Sequence, residues 1–221
     1  MTTEVPQLLP IEKSNYQKIN IIKTNIIKMF FLRGYIKEEN LQKSIKSLVD
    51  QENDDYEYTL TLDVDTNYNT TIKDKQIIIK LFDYKISSIN KTSPIGEFIT
   101  KYNNSYKFII VDDINSKSVK IISGYSTPCE IFKTSELMLC IVEHTQVPNH
   151  KVLTKEESNT VLNEYCARKR DMPLILTTDP IARFYNMKPD EICRITRPST
   201  LTVEVPFYRI VVKSKEFKAK T

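Results

Sequence analysis

Residues 177–199 read TTDPIARFYNMKPDEICRITRPS and pack a helix, a turn and a strand into a short space. Asp179 is suited to cap a helix, because its carboxylate accepts hydrogen bonds from the first free backbone N–H groups. Pro180 follows at the first helical position, where a missing N–H costs nothing. Ile181, Ala182, Phe184 and Tyr185 supply a short apolar face. Asn186 tolerates the left-handed conformation that ends many helices, and Lys188-Pro189-Asp190 spells a turn. From Ile192 to Arg197 the pattern is that of a strand, with Cys193 and Ile195 on one face and Arg194 and Thr196 on the other. Pro198 stops it. Arg183, Arg194, Arg197 and, further on, Arg209 crowd this small module, with no nucleophile or acid–base pair among them. Surface charge or internal salt bridges are the plainest account of such arginines.

Upstream of the module, Thr154 to Cys166 reads as a helix opened by a capping box, Thr154 bonding to the Glu157 N–H and Glu157 reaching back. Before it, Gln146-Val147-Pro148-Asn149-His150 reads as a linker, in which Pro148 lacks a backbone donor and holds Val147 extended. His150 is expected to be a hydrogen-bonding hinge residue. The first 146 residues interleave helices and strands. Helical spacing covers about Lys13 to Leu32, ended by Arg33-Gly34-Tyr35 with Gly34 as a left-handed cap, and again Glu38 to Val49. Alternation over Tyr56–Val64 gives a half-buried strand, and the apolar runs Gln76–Phe82 and Tyr106–Val111 give buried ones. A helix starts at Ser93-Pro94 and runs to about Tyr102. Glu130–Phe132 and Leu137–Val142 are expected to be strands. The sum is a mixed α/β (α+β) chain in two domains, 1–146 and 147–212, with a basic tail at 213–221.

A chain of 221 residues, 40% hydrophobic and 27% charged, buries a real core. No apolar run approaches the ~20 residues of a membrane span, and the N-terminal residues do not read as a secretory signal. The four cysteines, Cys129, Cys140, Cys166 and Cys193, are far apart with no CxxC pair, as expected of small buried hydrophobes in a reducing compartment. The net charge of +4 is unevenly spread: 18 Lys/Arg face 19 Asp/Glu in 1–146, and 14 face 9 in 147–221. Neither half has the dense basic stripe of a stand-alone nucleic-acid binder.

Catalytic patterns are sparse. His144 and His150, with Cys140 and Glu143, match no zinc spacing, and no metal is expected. With 3 glycines the chain has no phosphate-cradling loop, and no cofactor is expected. One alternative is a Mg-dependent restriction-like nuclease. Asp83-Tyr84-Lys85 ends the Gln76–Phe82 strand, and Asp63 or Asp65 lies on the preceding one. A carboxylate from each of two adjacent strands can hold Mg²⁺ while the lysine helps activate water. Exposed strand-end charge is the simpler reading of so short a pattern.

The order Asp179-Pro180-Ile181-Ala182-Arg183-Phe184, Arg197-Pro198-Ser199 and Tyr208-Arg209-Ile210-Val211-Val212 resembles the C-terminal assembly domain of the fifth, shared subunit of eukaryotic DNA-directed RNA polymerases, which has an archaeal equivalent. The joint around Val147-Pro148 and His150 resembles that family too, as does the helix ending in Arg-Gly-Tyr. The resemblance is dense from about Leu137 to Val212 and sparse before. It implies an N-terminal jaw domain beside downstream DNA and a C-terminal domain docked on the largest subunit, with Asp179, Pro180, Arg183, Arg194, Arg197, Ser199, Tyr208 and Arg209 facing that partner. The chain is then non-catalytic and present once per assembly, with no membrane partner. Where the family has a Thr-Pro-Ser-Ala loop near DNA, this chain has Asn115-Ser116-Lys117-Ser118, and Lys117 and Lys120 are the candidates for phosphate contact. Two family glycines are replaced, by Asn186 and Asp190. The Lys-, Ile- and Asn-rich usage suits a large DNA virus or a fast-evolving eukaryote, which implies a cytoplasmic factory or virion in the first case and a nucleus in the second.

Overall fold

The N-terminal strands that read as continuous apolar runs form a sheet that is buried on both faces. The computed structural model describes residues 13–51, 55–63, 76–90, 92–103, 105–124, 129–198 and 204–213. Asp65, Ser199 and the basic tail from 214 lie outside the described residues. The chain divides into two compact units, one of Met1–Ile27 with Ile36–Met138, the other of Lys28–Tyr35 with Leu139–Thr221. Residues 28–35 therefore group with the C-terminal unit.

In the first unit, strands β1 (Glu57–Thr61), β2 (Gln76–Ile86), β3 (Tyr106–Ile114) and β4 (Cys129–Lys133) lie in the order β1-β2-β3-β4. β1 is antiparallel to β2, and β2, β3 and β4 are parallel. Ile78, Phe82, Ile109 and Val111 on one face pack with Ile95, Phe98 and Ile99 of α3 (Pro94–Lys101) and Ile122 of α4 (Ser116–Ser123). The other face carries Ile77, Ile79, Leu81, Phe108 and Ile110, all buried. α1 (Asn15–Leu32) and α2 (Glu38–Val49) begin and end within two residues of the sequence expectation. The Gly34 cap has φ +77°.

Lys107 interrupts the apolar run of β3 and is fully buried. Its Nζ donates to the carbonyls of Tyr102, at 2.7 Å, and Ser105, at 2.9 Å, just past the C-terminus of α3. Burial pushes this ammonium below its usual pKa.

Three expectations are corrected. Leu137–Val142 is not a strand: α5 (Thr134–Leu137) ends there and a 3-10 turn covers Ile141–Glu143. The Glu136 carboxylate accepts the Lys133 N–H at 2.9 Å and starts a helix turn that overrides the apolar run. Asn115–Ser118 is not a loop. The Asn115 side chain caps α4 by accepting the Lys117 N–H, so Lys117 lies in the first turn of a helix. His150 is not in a linker but in β5 (Asn149–Val152), where pairing with another strand satisfies its backbone. The four cysteines are free thiols, but of the four expected to be buried only Cys193 is: Cys129 and Cys140 are half-buried and Cys166 is exposed.

Candidate docking surface

The second unit holds a sheet in the order β5-β7-β8-β6, from β5, β6 (Leu174–Leu176), β7 (Ile192–Pro198) and β8 (Glu204–Val212). β6 and β8 went unread in the sequence, because three apolar residues beside Pro173 and a run containing Pro206 give weak strand signals. α6 (Lys155–Glu164) carries the expected capping box. The module opens as its sequence dictates. Asp179 Oδ1 accepts the N–H groups of Ile181, at 2.8 Å, and Ala182, at 3.4 Å, and starts α7 (Pro180–Phe184). Asn186 then takes φ +51°, and the Met187 N–H bonds back to Ala182 O. Asp190 takes φ +73°. Both positions at which the resemblance places glycine are thus left-handed, occupied by two residue types that tolerate it. Ile181, Ala182 and Met187 pack on Ile175, Cys193, Ile195 and Val211 to make the core of this unit.

Strand alternation sorts the candidate residues. β7 and β8 are antiparallel, pairing Cys193 with Arg209, Ile195 with Phe207 and Arg194 with Tyr208, and β5 pairs His150 with Ile195. Directly paired residues share a face. The face packed by α7 therefore carries His150, Arg197, Phe207 and Arg209 around the buried Ile195. The opposite face carries Lys151, Arg194 and Tyr208, with Tyr165, the residue that caps the C-terminus of α6, against Tyr208 at 5.6 Å between ring centres. The expected docking residues do not all meet on one surface. Arg183 is half-buried on α7 and Pro180 is exposed at its start.

On the α7 face, the His150 Nδ1 lies 2.6 Å from Pro148 O. A carbonyl only accepts, so Nδ1 carries the hydrogen. Burial lowers the imidazole pKa despite that bond, and Arg209 and Arg197 lower it further while Asp179 raises it. Arg197 lies over the Phe207 ring at 5.3 Å. Burial raises the Cys193 thiol to about 12, making it a packing residue and no nucleophile.

Arg33, which in the sequence marks only a helix end, holds α7. Its Nε donates to Phe184 O at 2.7 Å and its Nη2 to Arg183 O at 3.1 Å, covering carbonyls at the helix C-terminus. Its guanidinium also lies over the Phe30 ring.

The nuclease alternative is not supported by the first sheet. Thr61 pairs with Gln76, and Asp83 lies seven residues further along β2. At about 3.3 Å per residue this separates the two ends by roughly 20 Å, and Asp63 continues the other way. Asp63 accepts instead from Asn40 at 2.8 Å, and Lys85 pairs with Asp113 at 3.0 Å. Lys133 reaches the same carboxylate at 2.7 Å, so two ammonium groups hold Asp113 well below the usual carboxylate range. Among the described residues no group of His, Cys, Asp or Glu could hold a metal ion. Lys117 and Lys120 are both exposed on α4.

Comparison with known proteins identifies relatives of the chain. The family model described as RNA polymerase Rpb5, C-terminal domain, matches residues 139–211. A "DNA-directed RNA polymerase subunit 5" of Acanthamoeba polyphaga mimivirus is 30% identical over 210 residues, covering 93% of this chain and 97% of the relative. This chain belongs to the RNA polymerase subunit 5 family. Among other members, "DNA-directed RNA polymerases I, II, and III subunit RPABC1" of Caenorhabditis briggsae is 28% identical over 209 residues, 91% of this chain and 98% of the relative. "DNA-directed RNA polymerase subunit Rpo5" of Sulfurisphaera tokodaii is 38% identical over 79 residues, 36% of this chain but 94% of the relative.

Proposed function

We propose that this subunit 5 family member is a non-catalytic structural subunit of a multisubunit DNA-directed RNA polymerase, docking on the largest subunit through its C-terminal unit while its N-terminal unit braces the lower jaw around downstream DNA. Family membership along nearly the whole chain supports the polymerase role. The observation that carries docking is electrostatic. Among the described residues, Arg194, Arg197 and Arg209 form no ion pair with a carboxylate, although Arg209 is half-buried. Guanidinium forks left unsatisfied at a surface are suited to carboxylates or carbonyls of another chain. The docking set is Asp179, Pro180, Arg183, Arg194, Arg197, Ser199, Tyr208 and Arg209, with one copy per assembly.

On the N-terminal unit, Lys117 and Lys120 meet phosphates of the downstream duplex without reading its sequence. The site of action follows the polymerase: the nucleus in a cell, a cytoplasmic factory or the virion for a large DNA virus. The test is co-purification. A tagged largest subunit should retain the wild-type chain at one copy, and Arg183→Ala or Arg197→Ala should lower its occupancy; no retention of the wild type overturns the reading. In the assembled enzyme, Lys117→Ala with Lys120→Ala should flatten the salt dependence of downstream DNA binding by about 1.8 log units per log unit of salt, as for two lost phosphate contacts. An unchanged slope removes both lysines from the contact.

A further inference from the structure

We propose that the α7 face of the C-terminal sheet is a socket for a carboxylate side chain of the protein partner, gripped by Arg197 and Arg209 beside His150. This rests on the docking reading above and narrows it to one of two faces and one ligand chemistry. Three observations meet there. Arg197, two residues beyond Ile195 on β7, and Arg209, diagonal to Ile195 on β8, stand on the same face and flank the Ile195–Phe207 pair from its two sides, and neither forms an ion pair among the described residues. His150, paired with Ile195 from the other side, is only 8% exposed, and its side chain bonds through Nδ1 to Pro148 O. Its Nε2 has no partner among the described residues and is not sealed from the surface, so an added proton turns it into a further donor toward an anion. Phe207 remains 46% exposed beneath the Arg197 guanidinium, a flat apolar rest that holds the fork in place.

Charge decides the class of occupant. Around the socket stand two guanidinium groups and the Asp179 carboxylate, whose Oδ1 already caps α7. The local balance is positive, and the two forks call for an anion. A half-buried arginine beside a buried imidazole and an exposed phenyl ring makes a mixed polar and apolar surface, which fits an Asp or Glu seated in a protein interface. Duplex phosphates follow exposed basic strips, whereas among the described residues of β7 and β8 this face carries two arginines set four positions apart, of which Arg197 is exposed and Arg209 half-buried. The opposite face is less suited: Arg194 lies beside Tyr208 and Tyr165, and Lys151 there is already paired with Glu157 at 2.7 Å.

The experiment uses the polymerase assembled from co-expressed subunits with a tagged largest subunit, and reads occupancy by quantitative mass spectrometry. Arg197→Glu with Arg209→Glu should weaken retention about 30-fold or more, as loss of a central anchor does. Lys151→Glu on the opposite face should leave it unchanged. Thermal melting of each variant chain separates lost docking from lost folding. If the double variant does not fold, the Arg197→Lys chain serves instead. Carbodiimide treatment of its assembled polymerase should condense the new amine with the seated carboxylate, forming an amide while the reagent takes up the water as its urea. A cross-linked partner peptide ending on Asp or Glu supports the socket, and no cross-link overturns it. If the folded double variant is retained like wild type while Arg183→Ala or Arg194→Ala is lost, the socket is wrong and docking stands. If all are retained, both fall. Loss of DNA binding with full retention assigns the face to phosphate and overturns the proposal.

Discussion

Replacing Arg33 by alanine should loosen the C-terminal unit, though the residue lies more than 100 positions before the segment that the C-terminal family model matches. Beside its other contacts, the wild-type guanidinium donates two hydrogen bonds to backbone carbonyls, Phe184 O at 2.7 Å and Arg183 O at 3.1 Å. Such bonds contribute about 1.5–3 kcal/mol each when buried. Arg33 is only half-buried, which places the pair near the lower end, and the contact with Phe30 adds about 0.5 kcal/mol. Truncation should therefore cost about 3 kcal/mol. For a chain of this size that is a fall of roughly 6–12 °C in the Tm of the transition reporting on this unit. Arg33→Lys keeps the charge at the α7 C-terminus but loses the fork, and should recover about half. The assay is urea unfolding of the full chain with hydrogen exchange read at Arg183, Tyr185 and Met187, whose N–H groups bond within and just after α7. Faster exchange confined to these amides is expected. A loss below about 0.5 kcal/mol, or a lysine variant equal to wild type, refutes the account.

At Asn186, alanine should cost about 1 kcal/mol because φ is +51°, whereas glycine should stay within about 0.5 kcal/mol of wild type; urea midpoints of the two variants check the contrast. Lys107→Met keeps the stem but strands the carbonyls of Tyr102 and Ser105, and should destabilise the N-terminal unit by about 1–3 kcal/mol in the same assay. His150 has its folded pKa lowered from 6.5, so the unfolded chain binds the proton more readily. Its stabilising contribution is complete above about pH 6.5 and falls as the pH drops toward the lower folded value. His150→Gln should remove that slope between pH 7.5 and 5.5, and a slope as steep as wild type excludes His150 as its source.

Much of this was legible because the signals were local. Asp179-Pro180 wrote the start of α7 and Asn186 its end, since capping needs only neighbouring backbone. Helices α1 and α2 followed from apolar spacing. What escaped depended on distant pairing. β5 is a strand because β7 lies beside it, and nothing in Asn149-His150-Lys151-Val152 announces that partner. The apolar run at Leu137–Val142 looked like a strand until a carboxylate three positions into a helix turn took the Lys133 N–H. The arginines proposed for docking were legible as a group, but the side on which Arg209 falls was not. Arg194 and Arg197 are three apart and separate by parity, while assigning Arg209 to the side of Arg197 required the register of β7 against β8.

That register has a consequence for inheritance. Strand positions have only two orientations, so deleting the Tyr208 codon without a compensating bulge would exchange inside for outside along one flank of the ladder. The guanidinium of Arg209 would then look away from His150, with the net charge unchanged. Lineages of this subunit should accept point changes across β8 far more readily than single-residue indels, and any indel kept there should come in pairs.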